Sequence, residues 1–251
     1  MDQLSKERLT IRVDEVDSTN LMLKKIAREE HPEEGSVVIA GYQTGGRGQM
    51  GTSWFSSKGE NLLFSLLIYP KNVEANGQFI ISRIASLAVK NTLDQFVSDI
   101  RIKWPNDIYW KDKKIGGMLI ENDIQGKQIE NSVIGIGINI NQQIFPPDLP
   151  NPVSLKQITG SEQDMEYIFN IFMREFFMLY REFEHGGTNS IEDEYMLDLY
   201  RINDYYWFED KNGKFKAIIE NVLPTGHLVL KTLENEVRRR YSFKEVAFID
   251  E

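Results

Sequence analysis

Apolar residues recur along this chain in two periods, and the switches between them mark out its elements. Leu23, Ile26 and Ala27 fall at helical spacing just after Asp17-Ser18-Thr19-Asn20, a run of helix-capping residues, so a helix is predicted to start there. Ser36 to Tyr42 and Leu62 to Tyr69 are apolar runs of strand length. The first opens into a glycine-rich loop; the second carries Ser65 in its interior and is stopped by Pro70. Between Gln78 and Phe96, Ile80, Ile81, Ile84, Leu87, Ala88 and Leu93 gather mostly on one helical face, the pattern of a helix packed on a sheet. Ile100 to Trp104 and Lys114 to Glu121 predict two strands on either side of the polar stretch Pro105 to Lys113, and Glu130 to Asn141 predicts a third. Four prolines between 146 and 152 mark an irregular connection, after which Met165 to Glu184 and Ile191 to Arg201 read as helices.

From about Asn203 the texture changes to short alternating segments. These are Phe215 to Glu220, Leu228 to Lys231, Val237 to Tyr241 and Val246 to Ile249, with turn signals at Asn212-Gly213 and Thr225-Gly226. The expected class is therefore α+β, with a main domain over residues 1–202 and a small β domain over residues 203–251. About fifty residues of short strands are too few to be very stable alone, so they should pack on the main domain.

Composition narrows the chemistry. Among 251 residues, 29 basic side chains face 38 acidic ones, a net charge of -9 that argues against a general nucleic-acid coat. The longest apolar run, Leu62 to Tyr69, is far shorter than the ~20 residues of a membrane-spanning helix. The start, Met1 to Arg12, is charged and lacks the apolar core of a secretory signal, so the expected location is cytoplasmic. Having no cysteine excludes disulfides, thiolate zinc sites and acyl transfer through an enzyme thiol. His31, His185 and His227 are scattered and do not pair as metal ligands.

Gly46-Arg47-Gly48-Gln49-Met50-Gly51 matches G-x-G-x-x-G after a strand, but its context is wrong for a dinucleotide site. The residues from Thr52 to Gly59 have no apolar helical face, and Lys71 stands about where an acidic ribose-binding residue belongs. What the loop does offer is backbone that a ligand can approach closely, beside the permanent charge of Arg47. That suits a phosphate. Taken alone, the same residues make a glycine turn with a surface arginine.

The loop is one of five signals in a fixed order: Asp17-Ser18-Thr19-Asn20; Gln43 with Gly45 to Trp54; Lys103-Trp104-Pro105-Asn106-Asp107; Lys114-Ile115-Gly116-Gly117 with Glu121; and Gly135-Ile136-Gly137-Ile138-Asn139. Together they resemble the biotin protein ligase family, over residues 10 to the end. The resemblance implies a mixed sheet flanked by helices, similar to class II aminoacyl-tRNA synthetases, followed by an SH3-like β-barrel. It implies a two-step reaction in which biotin and ATP give biotinyl-5′-AMP and pyrophosphate. A lysine of a biotin carboxyl carrier protein or domain then attacks to form an amide.

Roles follow from the same resemblance. Arg47 and Lys114 match positions that contact the biotin carboxylate and the adenylate phosphate. Ser18, Thr19, Asn20 and Gln43 would supply polar contacts to biotin, with Gly48, Gln49, Gly116 and Gly117 also at the biotin subsite. Ser18 serves equally well as a helix N-cap. Trp54 would cover the ligand or adenine, although such a tryptophan is also a common core residue. Lys103, Asn106 and Asn139 match positions near the nucleotide, and Lys103 fits an ion-pair partner as well. Asp107 is the candidate for orienting the acceptor amine, because exposing a free lysine amine at pH 7 costs about 4–5 kcal/mol. Magnesium is expected with ATP, its protein ligands unknown, and a homodimer is a possible assembly.

Two departures from the family pattern stand out. Many relatives carry a second arginine where this chain has Gln49, which removes a charge from the loop. Some carry an N-terminal DNA-binding domain, for which the Ser-Thr-Asn motif at residue 18 leaves no room, so a monofunctional ligase without DNA binding is expected. A lipoate or octanoate transferase is the nearest rival, and octanoyl transfer needs a cysteine this chain lacks. A non-catalytic sensor on the same fold is the other.

Overall fold

Seven strands form the larger sheet: β1 (Thr10–Val13), β2 (Val37–Ala40), β3 (Leu62–Ile68), β4 (Ile100–Lys103), β5 (Asp107–Trp110), β6 (Lys113–Gln125) and β7 (Gln128–Ile138). In this computed structural model, which describes residues 7–250, they lie in the order β1-β2-β3-β7-β6-β5-β4. The first six residues of the charged start, and Glu251, lie outside the described residues. Only β1 and β2 pair in parallel; every other neighbour is antiparallel. Among the described residues five α-helices accompany the sheet: α1 (Thr19–Glu30), α2 (Phe79–Leu93), α3 (Leu155–Thr159), α4 (Met165–Glu184) and α5 (Thr188–Leu197).

Alternation of side chains along the strands divides the sheet into two different faces. Phe64, Leu66, Ile134, Ile136 and Ile138 point into the main core beneath α2 and α4, where Phe64 meets Phe169 edge-on with ring centres 5.2 Å apart. Leu67 and Val133 point the other way and pack with Leu23, Ile26 and Ala27 of α1 and Val38 of β2. Helix α1 covers only one end of that second face. The rest of it, over β6 and β7, is left for a cavity.

The second sheet contains β8 (Tyr206–Asp210), β9 (Gly213–Val222), β10 (Leu228–Thr232), β11 (Arg238–Tyr241) and β12 (Val246–Phe248), all antiparallel in the order β11-β10-β9-β8-β12. Specific contacts hold it to the larger sheet. The Trp104 indole N–H donates to the carbonyl of Gly226 at 2.9 Å, and its ring meets Phe243 edge-on. Arg83 of α2, only 2% exposed, reaches both the Val222 carbonyl and the Glu192 carboxylate. Arg238 and Arg239 are engaged by Glu220 and Asp210 on this sheet.

The pattern of apolar positions misses β1, β5 and β8, and shifts the last helix. Strand β5 hides in the polar stretch after Pro105 because it has only four residues, and Lys111 turns the chain back with φ 52°. Helix α5 ends at Leu197, after which Leu199 pairs with Ile102 along the outer edge of β4. Among the described residues no helix is long and apolar enough to cross a membrane.

Candidate active site

The site begins where α1 starts. Ser18, Thr19 and Asn20 are polar yet each only 3% exposed, so their hydrogen bonds have to be found inside the protein. Ser18 holds the N-cap position with an extended backbone, but its hydroxyl makes no capping bond. The Gln43 Oε1 accepts from the Thr19 backbone N–H at 2.8 Å and from its hydroxyl at 3.1 Å. The Ser65 hydroxyl lies 2.7 Å from Thr19 Oγ1 and 2.5 Å from Asn20 Oδ1. Asn20 Nδ2 donates to the Leu119 carbonyl at 3.1 Å and to Glu121 Oε2 at 3.0 Å.

Asn20 has room to do this only because residue 135 is glycine: a Cβ there would stand 2.2 Å from Asn20 Oδ1. Burial works against ionisation of Glu121, but hydrogen bonds from Asn20 and Lys24, with the charges of Lys24 and Arg47, hold its carboxyl below the usual carboxylate range. Its contribution to stability is thus present above the ordinary glutamate pKa and is lost as pH falls through the lower folded value. Ser65, fully buried, ties Thr19 to Asn20, and Ser65→Ala is expected to destabilise the fold by about 1–2 kcal/mol, read as a shift of the urea midpoint at constant m.

The glycine loop closes on itself. Trp54 N–H donates to the Gly46 carbonyl at 2.9 Å, Arg47 pairs with Ser53, and Gly48 N–H donates to the Thr52 carbonyl at 2.7 Å. A single 3-10 turn at Gln49–Gly51 sits at the tip, which is why the fingerprint opens no helix. The loop lays the Trp54 ring on a glycine floor: a Cβ at Gly137 would stand 2.5 Å from the indole, and one at the facing Gly117 3.2 Å. The indole N–H is buried with no partner, a donor that an acceptor on a ligand would satisfy.

The opposite wall comes from the turn between β4 and β5. Asn106 Nδ2 donates to the Met118 carbonyl and holds this turn over β6. Asp107 Oδ1 lies 2.7 Å from Lys114 Nζ, and Lys114 Nζ is 5.6 Å from the centre of the Trp54 ring. Lys103 Nζ donates to Tyr109 Oη at 3.0 Å. Burial pushes the Lys103 pKa below that of an ordinary lysine, against the opposing pull of Asp107, and pushes the Tyr109 hydroxyl up to about 12.

These walls enclose one cavity of about 390 Å³, closed on a further side by Phe243 of the turn before β12 and by Ala247 and Phe248 of β12. All of the residues nominated from the sequence line it except two. Gly116 lies on the opposite face of β6, its missing Cβ directed at the Gly137 carbonyl and Ile108. Asn139 is buried beyond the end of β7, where its Nδ2 donates to the Val153 carbonyl at 3.1 Å and holds the following chain in place. Gly116 neighbours the cavity residue Gly117 but points away from the cavity because successive strand residues alternate in direction, whereas Asn139 stands just past the last residue of β7, Ile138, where its side chain ties the chain to Val153. Ser65, Glu121 and Gly135 received no role from the sequence. Their signals were a lone serine within an apolar strand and two members of recognised motifs. Phe243 and Phe248 gave no local signal, since only the packing of the two sheets brings them to the cavity.

A model of the biotin/lipoate A/B protein ligase family matches residues 12–139. The chain belongs to the biotin protein ligase family. It is 30% identical over 238 residues to the bifunctional ligase/repressor BirA of Bacillus subtilis, covering 91% of this chain and 71% of that protein. The biotin--[acetyl-CoA-carboxylase] ligase of Paracoccus denitrificans is 26% identical, with 86% of this chain and 91% of that one aligned. The fold is that of the Aquifex aeolicus biotin protein ligase, solved in complex with biotin and ATP: TM-score 0.80, 24% identity, and coverage of 97% of this chain and 99% of that chain.

Proposed function

We propose that this cavity joins biotin to AMP and then hands the biotinyl group to a lysine of a biotin carboxyl carrier domain. The observation that carries this reading is the meeting, in one cavity, of a neutral hydrogen-bonding network at Ser18, Thr19, Asn20 and Gln43 with the cations Arg47 and Lys114. The first is suited to a rigid ring with a few fixed donors and acceptors, the second to its acid group and a phosphate.

In the first step a carboxylate oxygen of biotin attacks the α-phosphorus of ATP and pyrophosphate leaves. Two unit anions 4 Å apart repel by about 4 kcal/mol at an effective dielectric of 20, so the attack needs cations between them. Before ligand arrives, Lys114 is held by Asp107, while Glu121 lies 3.9 Å from Arg47. In our reading the adenylate phosphate draws Lys114 away from Asp107. The freed carboxylate then orients the incoming amine and accepts the proton that the nitrogen loses as it attacks the acyl carbonyl and AMP leaves. Asp107→Asn should therefore slow single-turnover transfer from preformed biotinyl-adenylate.

Magnesium fits this site only as a companion of the nucleotide. Among the described residues no three acidic or histidine side chains gather, and Asp107 and Glu121 are each engaged by a lysine. An ion carried in on triphosphate oxygens needs no resident cage.

Gln49 lines the cavity where many relatives place an arginine. A neutral hydrogen bond contributes about 1 kcal/mol against about 1.5–3 for a charged one, so the adenylate should be held less tightly and some should escape. Gln49→Arg is expected to reduce labelling of a bystander protein by released biotinyl-AMP, measured by avidin blot; unchanged labelling would count against the loss of charge as the cause.

The direct test of the reading is ATP–pyrophosphate exchange, which should require biotin. Exchange that proceeds equally well with lipoate would assign the cavity to the lipoate branch, and absence of exchange with either acid would leave a binding module.

A further inference from the structure

Lys103 differs from the other two cations of the cavity. Arg47 and Lys114 each have a carboxylate oxygen within 4.0 Å, whereas among the described residues Lys103 Nζ forms no such pair. It is surrounded by rings instead. The ammonium lies 4.4 Å from the centre of the Tyr109 ring, 5.4 Å from Phe248 and 5.7 Å from Tyr200. The three rings come from β5, from β12 of the second sheet, and from the segment after α5. They brace one another, with Tyr200 6.2 Å from Phe248 and 5.4 Å from Tyr109, and the Tyr200 hydroxyl anchored on Asp112 Oδ1 at 2.6 Å.

An ammonium has three N–H donors. One is used on Tyr109 Oη, and ring faces attract the charge without offering a strong acceptor for the others. Two donors are thus left for the cavity that Lys103 and Phe248 both line. The charged groups that act on Lys103 are Asp107 and Asp250, which favour its charge, and Arg201 and Lys114, which oppose it. A cation held this way is suited to a polyanion.

We propose that Phe248, with Tyr200, is a positioning residue for Lys103: the cage aims the ammonium at the triphosphate of the nucleotide, so the second sheet acts on the chemistry through β12. This rests on the assignment of the cavity to biotin and ATP, and wild-type biotin-dependent ATP–pyrophosphate exchange tests that assignment first; its absence would remove the assignment itself.

With exchange established, KM values for ATP and biotin are measured in Phe248→Leu, Phe248→Tyr, Lys103→Met and the Phe248→Leu/Lys103→Met double variant. Phe248→Leu should raise the KM for ATP about tenfold, the factor matching a cation–π contact of ordinary strength, and leave the KM for biotin unchanged. Phe248→Tyr, which keeps the ring, should stay near wild type. The double variant should match Lys103→Met alone, because a ring that acts through the lysine has nothing to act on once the lysine is gone. A Phe248→Leu effect that multiplies fully on top of Lys103→Met, or that moves both KM values equally, overturns the proposal, as does a fully active Phe248→Leu.

Discussion

Lys114→Met is expected to lower kcat for biotin-dependent pyrophosphate exchange by about 10²–10³-fold, the effect of removing one preorganised charge from a developing anionic centre. The fold should survive the change. Lys114 and Asp107 are both partly exposed, and an ion pair of that kind contributes about 0–1 kcal/mol to stability. The KM for biotin should rise far less than kcat falls, since the ring-binding network at Thr19, Asn20 and Gln43 does not touch Lys114 and Arg47 remains for the acid group. A decrease in kcat of less than about threefold would remove Lys114 from the reaction as we read it.

Gly135→Ala should do comparable damage by a different route. Its Cβ would stand 2.2 Å from Asn20 Oδ1 and 2.9 Å from Cγ, so the Asn20 side chain has to leave its seat and its bonds to Ser65, Leu119 and Glu121. With Asn20 displaced and Ser65, which also ties Thr19, unseated, the site should lose two or three hydrogen bonds to biotin, a rise of about 10²-fold in the KM for biotin with the KM for ATP little affected. Gly137→Ala, two residues along the same face, would strike the Trp54 indole instead and should affect nucleotide more than biotin. Steady-state kinetics in the two substrates separates the two variants, and a shared, equal effect would mean that the glycine floor is not divided as described.

The apolar periodicity was enough to place β2, β3, β6, β7, α1, α2 and α4, because each is long or continuous enough for its period to show. It was silent on β5, a four-residue strand between a proline and a charged turn whose place is set by register with β4 and β6. The cavity was legible as motifs, in that most of its polar lining residues stand in the segments recognised from the sequence. Which face each motif residue presents was not legible. Gly116 and Gly117 are adjacent, yet one faces the core and the other the cavity. Nor did anything in the local sequence around Phe248 reveal its contact with Lys103, because that contact depends on how one sheet packs against the other.

Arg47 and Lys114, as we read the cavity, serve one anionic centre, and a crystal structure of the protein with biotinyl-5′-AMP would show whether they do. The adenylate phosphate should lie within about 3 Å of both the Lys114 ammonium and the Arg47 guanidinium, with Lys114 withdrawn from Asp107. An adenylate bound with Lys114 still on Asp107 and Arg47 still turned to Glu121, or bound outside this cavity, would contradict it.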